Sequence, residues 1–504
     1  MRKKVYLDFS NPMNARVGVA TVLPSSVAIA GIAIAGKMVA GRGAQPTQKD
    51  ARAVNCFSHT VGNRKYLVKR SGWPALNTPQ AGSLGNAILV WSGQGTGTKV
   101  ITAFGNTNSS IYDGTTQLAT NNADTTVITG LATSITETSV SGTATLFITS
   151  SDSTGWYYQA SGTVTKIADA QFPGNASKVL AGGFAHLKGW NFVLTTGGEL
   201  WSSDLNSITS WTPNNYVSAD TYPDKGVAAV RWRDYIIAFG TQSMDFYKNA
   251  GNPVGSPLVH VDSPNFKIGA VSAGAIAEIS DTIFFCASTP QGGLSILQFD
   301  GDLSRISTPE VDALLQLAGP ASVKMTVLRD MGLSFVLVVA GGLTHVYCIE
   351  NKFWFQWNGS EILWTKCAGV SVGTSQVSYA ISDLSMSGKV FTIDPTTRVF
   401  QDNAAAFTAL RQFATLDPGG GAFVTYEELQ VKGDVATSAS TLSIYRSDDD
   451  YTTWSDARTV DLSTNIPKLT REGGTKNPRA YKIEHSANLA MRLEEIRLIV
   501  EVGQ

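Results

Sequence analysis

The chain reads as an all-β protein: a β-propeller of about seven blades, with an N-terminal platform segment and a C-terminal β-sandwich. Three observations predict this. A short strand-like block of β-branched and aromatic residues recurs every 43 to 58 residues, at Ala87–Trp91, Thr145–Thr149, Trp190–Thr195, Tyr235–Gly240, Thr282–Ala287, Ser334–Ala340 and Val377–Ile381. Each block starts and stops at Gly, Asn, Asp or Pro, and a period of that length built from short strands marks propeller blades. The 48 glycines, the many Thr, Ser and Asn, and the lack of long Ala/Leu/Glu/Lys stretches favour turns and strands over helices. Near the C-terminus, Ile496, Leu498, Val500 and Val502 alternate with polar residues including Arg497 and Glu501, the period of a half-buried strand.

Residues 1–85 are expected to form an arm or platform. Arg2, Lys3 and Lys4 precede an apolar region at Val17–Ala35, as in a secretion signal. Asp8, Asn11, Asn14 and Arg16 separate the two, and Pro24-Ser25-Ser26 interrupts the apolar run. What remains, Val27–Ala35, is too short to span a bilayer and alternates Val27, Ile29, Ile32 and Ile34 with Ala and Gly, as a strand would. A soluble chain without a membrane segment is expected. A polar linker follows at Gly41–Asp50, then strand-like Val54–Phe57 and Lys65–Lys69, with turns at Trp73-Pro74 and Thr78-Pro79.

Residues 86–405 are expected to hold the propeller, because one blade cannot bury both faces of its small sheet and must stack on its neighbours. One helix is predicted between blades. Thr308 suits the N-cap, Pro309 the first helical position, Glu310 faces the dipole, Val311, Leu314 and Leu315 form an apolar stripe, and Gly319-Pro320 ends it. Residues 406–504 are expected to form the sandwich. Leu429 and Val431, Leu442 and Ile444, and Tyr481 and Ile483 repeat the period of two without an intervening helix pattern.

The charge balance narrows the function. Lys and Arg total 39 against 40 Asp and Glu, a net charge of −1, which argues against a protein that grips phosphates through a basic stripe. The four cysteines, Cys56, Cys286, Cys348 and Cys367, form no CxxC pair and read as buried reduced thiols. His59, His186, His260, His345 and His485 have no metal-ligand spacing and no triad pattern. Glu427-Glu428 and Glu494-Glu495 are neighbours on predicted strands, so each pair points to opposite faces and suits no acid–base couple. Trp156, Tyr157, Tyr158, Trp354 and Trp357 suit sugar stacking, but blade packing accounts for them equally well. Ser92–Lys99 is Gly-rich but fails both GxGxxG and the phosphate loop, since Thr98 stands where a Gly must precede the Lys. No catalytic, cofactor-binding or metal-ligating residue and no cofactor is assigned.

Ser447-Asp448-Asp449-Asp450-Tyr451-Thr452-Thr453-Trp454 resembles the Asp-box turn, S-x-D-x-G-x-T-W, of sialidases and other propeller proteins. There it is a structural hairpin turn, with the carboxylate tying the loop and the Trp packed beneath. Tyr451 replaces the Gly, so the turn must differ locally. A calcium site on the three Asp residues would lack EF-hand spacing and the terminal Glu.

A longer segment carries a further resemblance. Gly226–Gly240, containing Trp232-Arg233-Asp234-Tyr235-Ile236, continues into Thr241–Tyr247. It resembles the central blade of the tail hub, or nozzle, proteins of short-tailed bacteriophages, also called packaged-DNA-stabilization proteins. Gly274–Ala287, Leu294–Gly301, the helix STPEVDALL, and Leu200–Asp204 with Trp211 fit the same pattern, as does the Asp-box-like turn with its following paired strands. The resemblance spans most of residues 140–504. Asp50–Phe57 is similar to that family's R-x-x-N-x-aromatic start, and the first 45 residues align with nothing in it. The family implies a virion protein without enzymatic activity, a homohexameric ring at the distal end of the tail tube. Its implied partners are the adaptor or head-completion ring above, tail fibres or spikes, needle or plug proteins, and DNA passing through the lumen without tight binding. The rival reading is a carbohydrate-binding or sialidase-like depolymerase propeller, permitted by the low charge and the Asp-box-like turn.

Overall fold

The computed structural model describes residues 2–7 and 52–503, apart from 63, 92–96, 121–126, 161, 219–221, 223, 253, 262–265, 289–292 and 373–374. The apolar region Val17–Ala35 and the linker up to Asp50 lie outside the described residues, as do most of the Gly-rich loop and the turn at Gln291.

Between residues 85 and 393, the recurring blocks become seven successive sheets, antiparallel except that Gly182–Gly183 joins the fourth in parallel. The first holds strands Gly85–Trp91, Lys99–Phe104, Ser110–Asp113 and Thr116–Gln117, and the second Ala132–Val140, Thr143–Ser150, Gly155–Gln159 and Thr165–Lys166. The third holds Ala185–Leu187, Trp190–Leu194, Glu199–Ser202 and Tyr216–Ser218, and the fourth Gly226–Trp232, Tyr235–Gly240, Met244–Asn249 and Leu258–His260. In the fifth, Gly269–Ala270 and Ile276–Ile279 both pair with Thr282–Ser288, followed by Leu294–Phe299 and Leu303–Arg305. The sixth runs Lys324–Asp330, Leu333–Ala340, Leu343–Cys348, Phe353–Trp357. The seventh runs Lys366–Val372, Ser375–Ile381, Val390–Ile393, and takes its fourth strand, Ala75–Asn77, from ahead of the first sheet.

The block expected at Ala87–Trp91 falls on the first strand of its sheet, whereas the other six fall on second strands. The equivalent second strand is Lys99–Phe104, whose Lys99 and Val100 are only half-buried and dilute its apolar signal. The long first interval of the repeat, Ala87 to Thr145, comes from that mismatch.

Neighbouring sheets bury apolar side chains between them. Trp91 and Ile101 meet Leu146 and Trp156, Phe147 meets Phe184 and Val193, and Leu194 meets Ala229 and Ile236. Phe239 meets Phe285, and Phe284 and Ile296 meet Val336 and Val338. Phe104 and Tyr112 of the first sheet pack with Ile381 and Val390 of the seventh. Each such sheet-to-sheet contact removes apolar surface from water at about 25 cal/mol per Å², the stacking that a single sheet lacks. The predicted helix is present as Pro309–Ala318. The Thr308 hydroxyl accepts the Val311 N–H at 3.4 Å, and Val311, Leu314 and Leu315 are buried between the fifth and sixth sheets.

The remaining strands make two facing sheets. In one, Arg492–Val502 is flanked by Val424–Gly433 on one side and by Arg64–Lys69 and Arg2–Tyr6 on the other, with Cys56–Val61 and Lys468–Thr475 at the edges. In the other, Arg52–Val54 bridges from Phe353–Trp357 of the sixth blade to Ala409–Gln412, then Ala480–His485, Thr441–Ser447 and Arg458–Asp461. Leu429, Val431, Leu442, Ile444, Tyr481, Ile483, Ile496, Leu498 and Val500, the expected alternating residues, form the core between them, with Val502 partly buried. Asn55, at φ 56°, turns the chain between the two sheets, so consecutive strands Arg52–Val54 and Cys56–Val61 enter different layers.

Candidate functional site: the axial cavity

The opening strands of six sheets, and the segment Gly182–Phe184 ahead of the third, face one another around a common cavity of about 690 Å³. Asn86–Ile88, Leu131–Thr136, Gly182–Phe184, Ala228–Val230, Lys324–Thr326 and Thr365–Cys367 line it, with Ala273, Ile276 and Glu278 of the fifth blade. Its width follows from small side chains where strands converge. A Cβ on Gly182 would sit 2.0 Å from the Cβ of Ala273, so this approach tolerates no side chain.

Four charged groups face the cavity. Lys324 Nζ donates to Asp383 Oδ2 at 2.5 Å, and Lys366 Nζ donates to the Asn86 carbonyl. Burial pushes the Lys366 ammonium below its ordinary range, Asp383 opposes that shift, and Lys324 adds to it. Glu278 makes no hydrogen bond or ion pair among the described residues, and its side chain is exposed. No sequence pattern pointed to these four residues. Glu278, Lys324 and Lys366 sit on strands of three different sheets and Asp383 in the bend after Ser375–Ile381, and only the ring brings them together.

The Asp-box-like turn is tied by its carboxylate as the motif implies, but Tyr451 rather than Trp454 packs beneath it. Asp449 accepts from the Thr453 amide at 2.9 Å, the Thr453 hydroxyl at 2.6 Å and the Ser447 hydroxyl at 2.8 Å, which together hold its carboxyl down at about 2. The Gly position is met by Tyr451 itself in the left-handed region, at φ 62°, and Asp450 precedes it at φ 55°. Tyr451 is buried and its hydroxyl donates to the Phe413 carbonyl at 3.0 Å, taking the place beneath the turn that the motif gives to Trp. Trp454 is half-buried beside it. Asp448 is held bidentately by the buried Arg479, at 2.6 and 2.8 Å. The turn is thus tied by its own hydrogen bonds, and among the described residues no group of three His, Cys, Asp or Glu is placed to hold a metal ion.

The other residues considered from sequence are dispersed. His186 hydrogen-bonds Thr138 and Asn191, His260 lies 3.7 Å from Asp245, and His345 and His485 are buried. Glu494 pairs with Arg64 and Lys432, and Glu428 bonds Gln430. Trp156 and Trp354 are buried, with indole N–H groups donating to Thr154 and to the Ile306 carbonyl, each at 2.8 Å. Trp357 is buried and Tyr157 is packed between the second and third sheets, so blade packing accounts for them. Cys56, Cys286 and Cys348 are buried, Cys367 is partly so, and all four are free; burial pushes their thiols up to about 12, 12, 11 and 12. No helix among the described residues is long and apolar enough to cross a membrane.

Residues 97–361, just over half of the chain and most of the seven sheets, match the phage-stabilisation family model, described as Bacteriophage P22 Gp10, beta-propeller. The chain belongs to the phage-stabilisation family. A phage-stabilisation protein is a structural component of the virion tail that stabilises the packaged DNA. The family description names a β-propeller, in accord with the sheets above. No curated protein matches the chain. Among solved structures, it is similar to the computationally designed Ika8 protein (12% identity, TM-score 0.37, covering 64% of this chain and 99% of the other). It is also similar to BBS1N in complex with ARL6DN (13%, 0.40, 65% and 98%). A third likeness is to Chaetomium thermophilum Raptor (9%, 0.41, 65%), of which it spans 29%. These likenesses are too distant to bear on function.

Proposed function

We propose that this phage-stabilisation protein is the nozzle subunit of a short tail. In this reading, copies form a closed ring, a homohexamer, at the distal end of the tail tube, below the adaptor. The ring holds the packaged genome and provides the channel through which it leaves. Residues 86–405 form the propeller, residues 406–504 the sandwich, and residues 1–85 an arm that reaches both. Tail fibres or spikes and a needle or plug protein are its further neighbours.

The observation that carries the position of the channel is the size of the axial cavity. A sphere of its 690 Å³ is about 11 Å across, no wider than the ~12 Å major groove of a duplex alone. Duplex DNA therefore does not thread a single propeller, and the channel lies on the ring axis, between subunits. A balanced net charge of −1 suits a lumen along which DNA slides without being gripped. The Gly-rich stretch Ser92–Thr98 and the turn at Gln291–Gly293 are gate candidates that lie largely outside the described residues. Non-enzymatic action is supported by the family and by the dispersal of the carboxylates.

Electron microscopy of tails extracted from virions tests the ring, and six-fold particles with an axial lumen between propellers are expected. A protein that stays monomeric in every tail preparation, or DNA passing through one propeller, overturns it. Virus lacking the protein should package DNA and then leak it. Particles that keep full-length DNA as stably as wild type would remove the retention role.

A further inference from the structure

Strand Arg2–Tyr6 is an addition to its sheet. It pairs with Arg492–Val502 and with no other strand among the described residues, off the path that connects the other five strands. In its register Tyr6 lies opposite Arg497, Lys4 opposite Ile499 and Arg2 opposite Glu501. Leu7 extends the ladder, its amide donating to the Ile496 carbonyl at 3.1 Å. Leu7 is buried in the sandwich core and Val5 packs against it, while Lys4 and Tyr6 stay exposed.

Two observations loosen the link between this strand and the copy that carries it. The 44 residues from 8 to 51 lie between it and Arg52–Val54. A chain of that length spans up to about 150 Å. It keeps its strand near its own sheet at an effective concentration of about millimolar at most. A neighbour packed in the same ring presents an identical edge at a comparable concentration. The second observation is charge. Arg2–Tyr6 carries three cations and no anion, whereas Arg492–Val502 carries Glu494, Glu495 and Glu501 against Arg492 and Arg497. The strand is therefore drawn to that edge whichever copy offers it. Left bare, the edge would present a row of unpaired N–H and C=O groups, a template that another chain extends.

We propose that residues 2–7 are exchanged in the assembled ring: the strand of each copy pairs with Arg492–Val502 of the next, head to tail. The inference rests on the ring reading above. Exchange keeps every contact of the strand, which makes it a low-cost route to assembly. What it adds is a covalent path from copy to copy. Separating two neighbours then requires peeling off a backbone ladder and withdrawing Val5 and Leu7 from a core, besides parting side chains. A ring that holds packaged DNA is thereby braced against opening.

The test uses tails extracted from virions whose chain carries both Lys4→Cys and Ile499→Cys. Counting back from the Leu7–Ile496 hydrogen bond, Lys4 and Ile499 form a non-hydrogen-bonded pair. Cα atoms in such a pair stand about 4.5 Å apart, within reach of a disulfide. Lys4 is exposed and Ile499 half-buried, and the natural cysteines are free, three of them buried and Cys367 partly so. After mild oxidation, a denaturing gel without reductant should show a ladder of linked copies that collapses on reduction. Chains that carry only an internal disulfide overturn the exchange, and so does the lack of any disulfide. Electron microscopy of the same tails keeps the two readings apart. Six-fold rings of internally bonded chains refute the exchange alone, whereas linked copies without a closed ring support the exchange and count against the ring. A second variant needs no cysteine. A chain lacking residues 2–7 should stay folded but fail to enter tails, and tails that contain it at wild-type stability overturn the proposal.

Discussion

Arg70 spends all five guanidinium donors, and Asp402 takes two of them. Nη1 and Nη2 each donate to one carboxylate oxygen, the first at 2.9 Å, while Nε donates to Asn55 Oδ1 and the remaining protons reach the carbonyls of Ser71 and Asn358. Phe407 stacks 3.8 Å from the guanidinium, with Trp357 and Trp364 each at 5.1 Å. Both charges are fully buried. The pair ties the arm to the sixth blade and to the chain leaving the seventh, so it sets how propeller and sandwich meet.

Removing one partner therefore strands a buried charge. Asp402→Asn or Arg70→Met is expected to cost about 3–5 kcal/mol, with much of the loss recovered when both are replaced by apolar residues. Urea unfolding of the two single variants and the double variant measures this. Single-variant losses under about 1 kcal/mol would mean that the clamp is dispensable.

Gly388 guards the junction of the last blade with strand Ala75–Asn77. It sits at φ 62°, and its carbonyl accepts from the Gln80 amide at 3.3 Å. A Cβ there would overlap the Gln80 carbonyl oxygen at 1.6 Å. Gly388→Ala combines a left-handed backbone with a backbone clash and is expected to destabilise by about 2–4 kcal/mol. Thermal unfolding reads the loss, and limited proteolysis near residue 80 should speed up.

His345 and His485 make the protein acid-sensitive. Burial holds both imidazoles down at about 4, with Lys69 adding to the effect at His485. The unfolded chain binds these protons near 6.5, so between about 6.5 and 4 the unfolded state holds more protons and stability falls as pH falls. Denaturation midpoints at pH 7 and pH 5 should differ less in His485→Gln than in wild type. An equal drop in both would place the acid sensitivity elsewhere.

Asp449 acts in the same direction at lower pH. Its carboxyl is held down by the Thr453 hydroxyl and amide and by Ser447, so its support persists above the usual carboxylate range and disappears as pH falls toward 2. Carbon-13 titration of Asp449 should show the low midpoint. Thr453→Val should raise it without unfolding the chain.

Much of the fold was legible because it rests on local, periodic information. The blocks at Tyr235–Gly240 and Ser334–Ala340 are long apolar runs bounded by turn residues, and the Thr308–Gly319 helix carries its own cap, stripe and stop. The phage-stabilisation resemblance around Arg231–Tyr247 was likewise contained in one stretch of chain. The block at Ala87–Trp91 misled on strand position because the true second strand, Lys99–Phe104, begins half-exposed and lacks the same apolar density.

By itself, the sequence determined the strand content, the blade period, the helix and the alternating core of the sandwich, since each depends on neighbours a few residues apart. Only the tertiary structure decided which distant segments meet. Ala75–Asn77 completes the seventh blade, Arg52–Val54 joins the sixth blade to Ala409–Gln412, and Arg70 finds Asp402. The axial cavity belongs to the same class: Glu278, Lys324, Lys366 and Asp383 share a space only after the sheets have packed in a ring. Pairing at such separations is chosen by loop closure and shared burial across the whole chain, which no local pattern records.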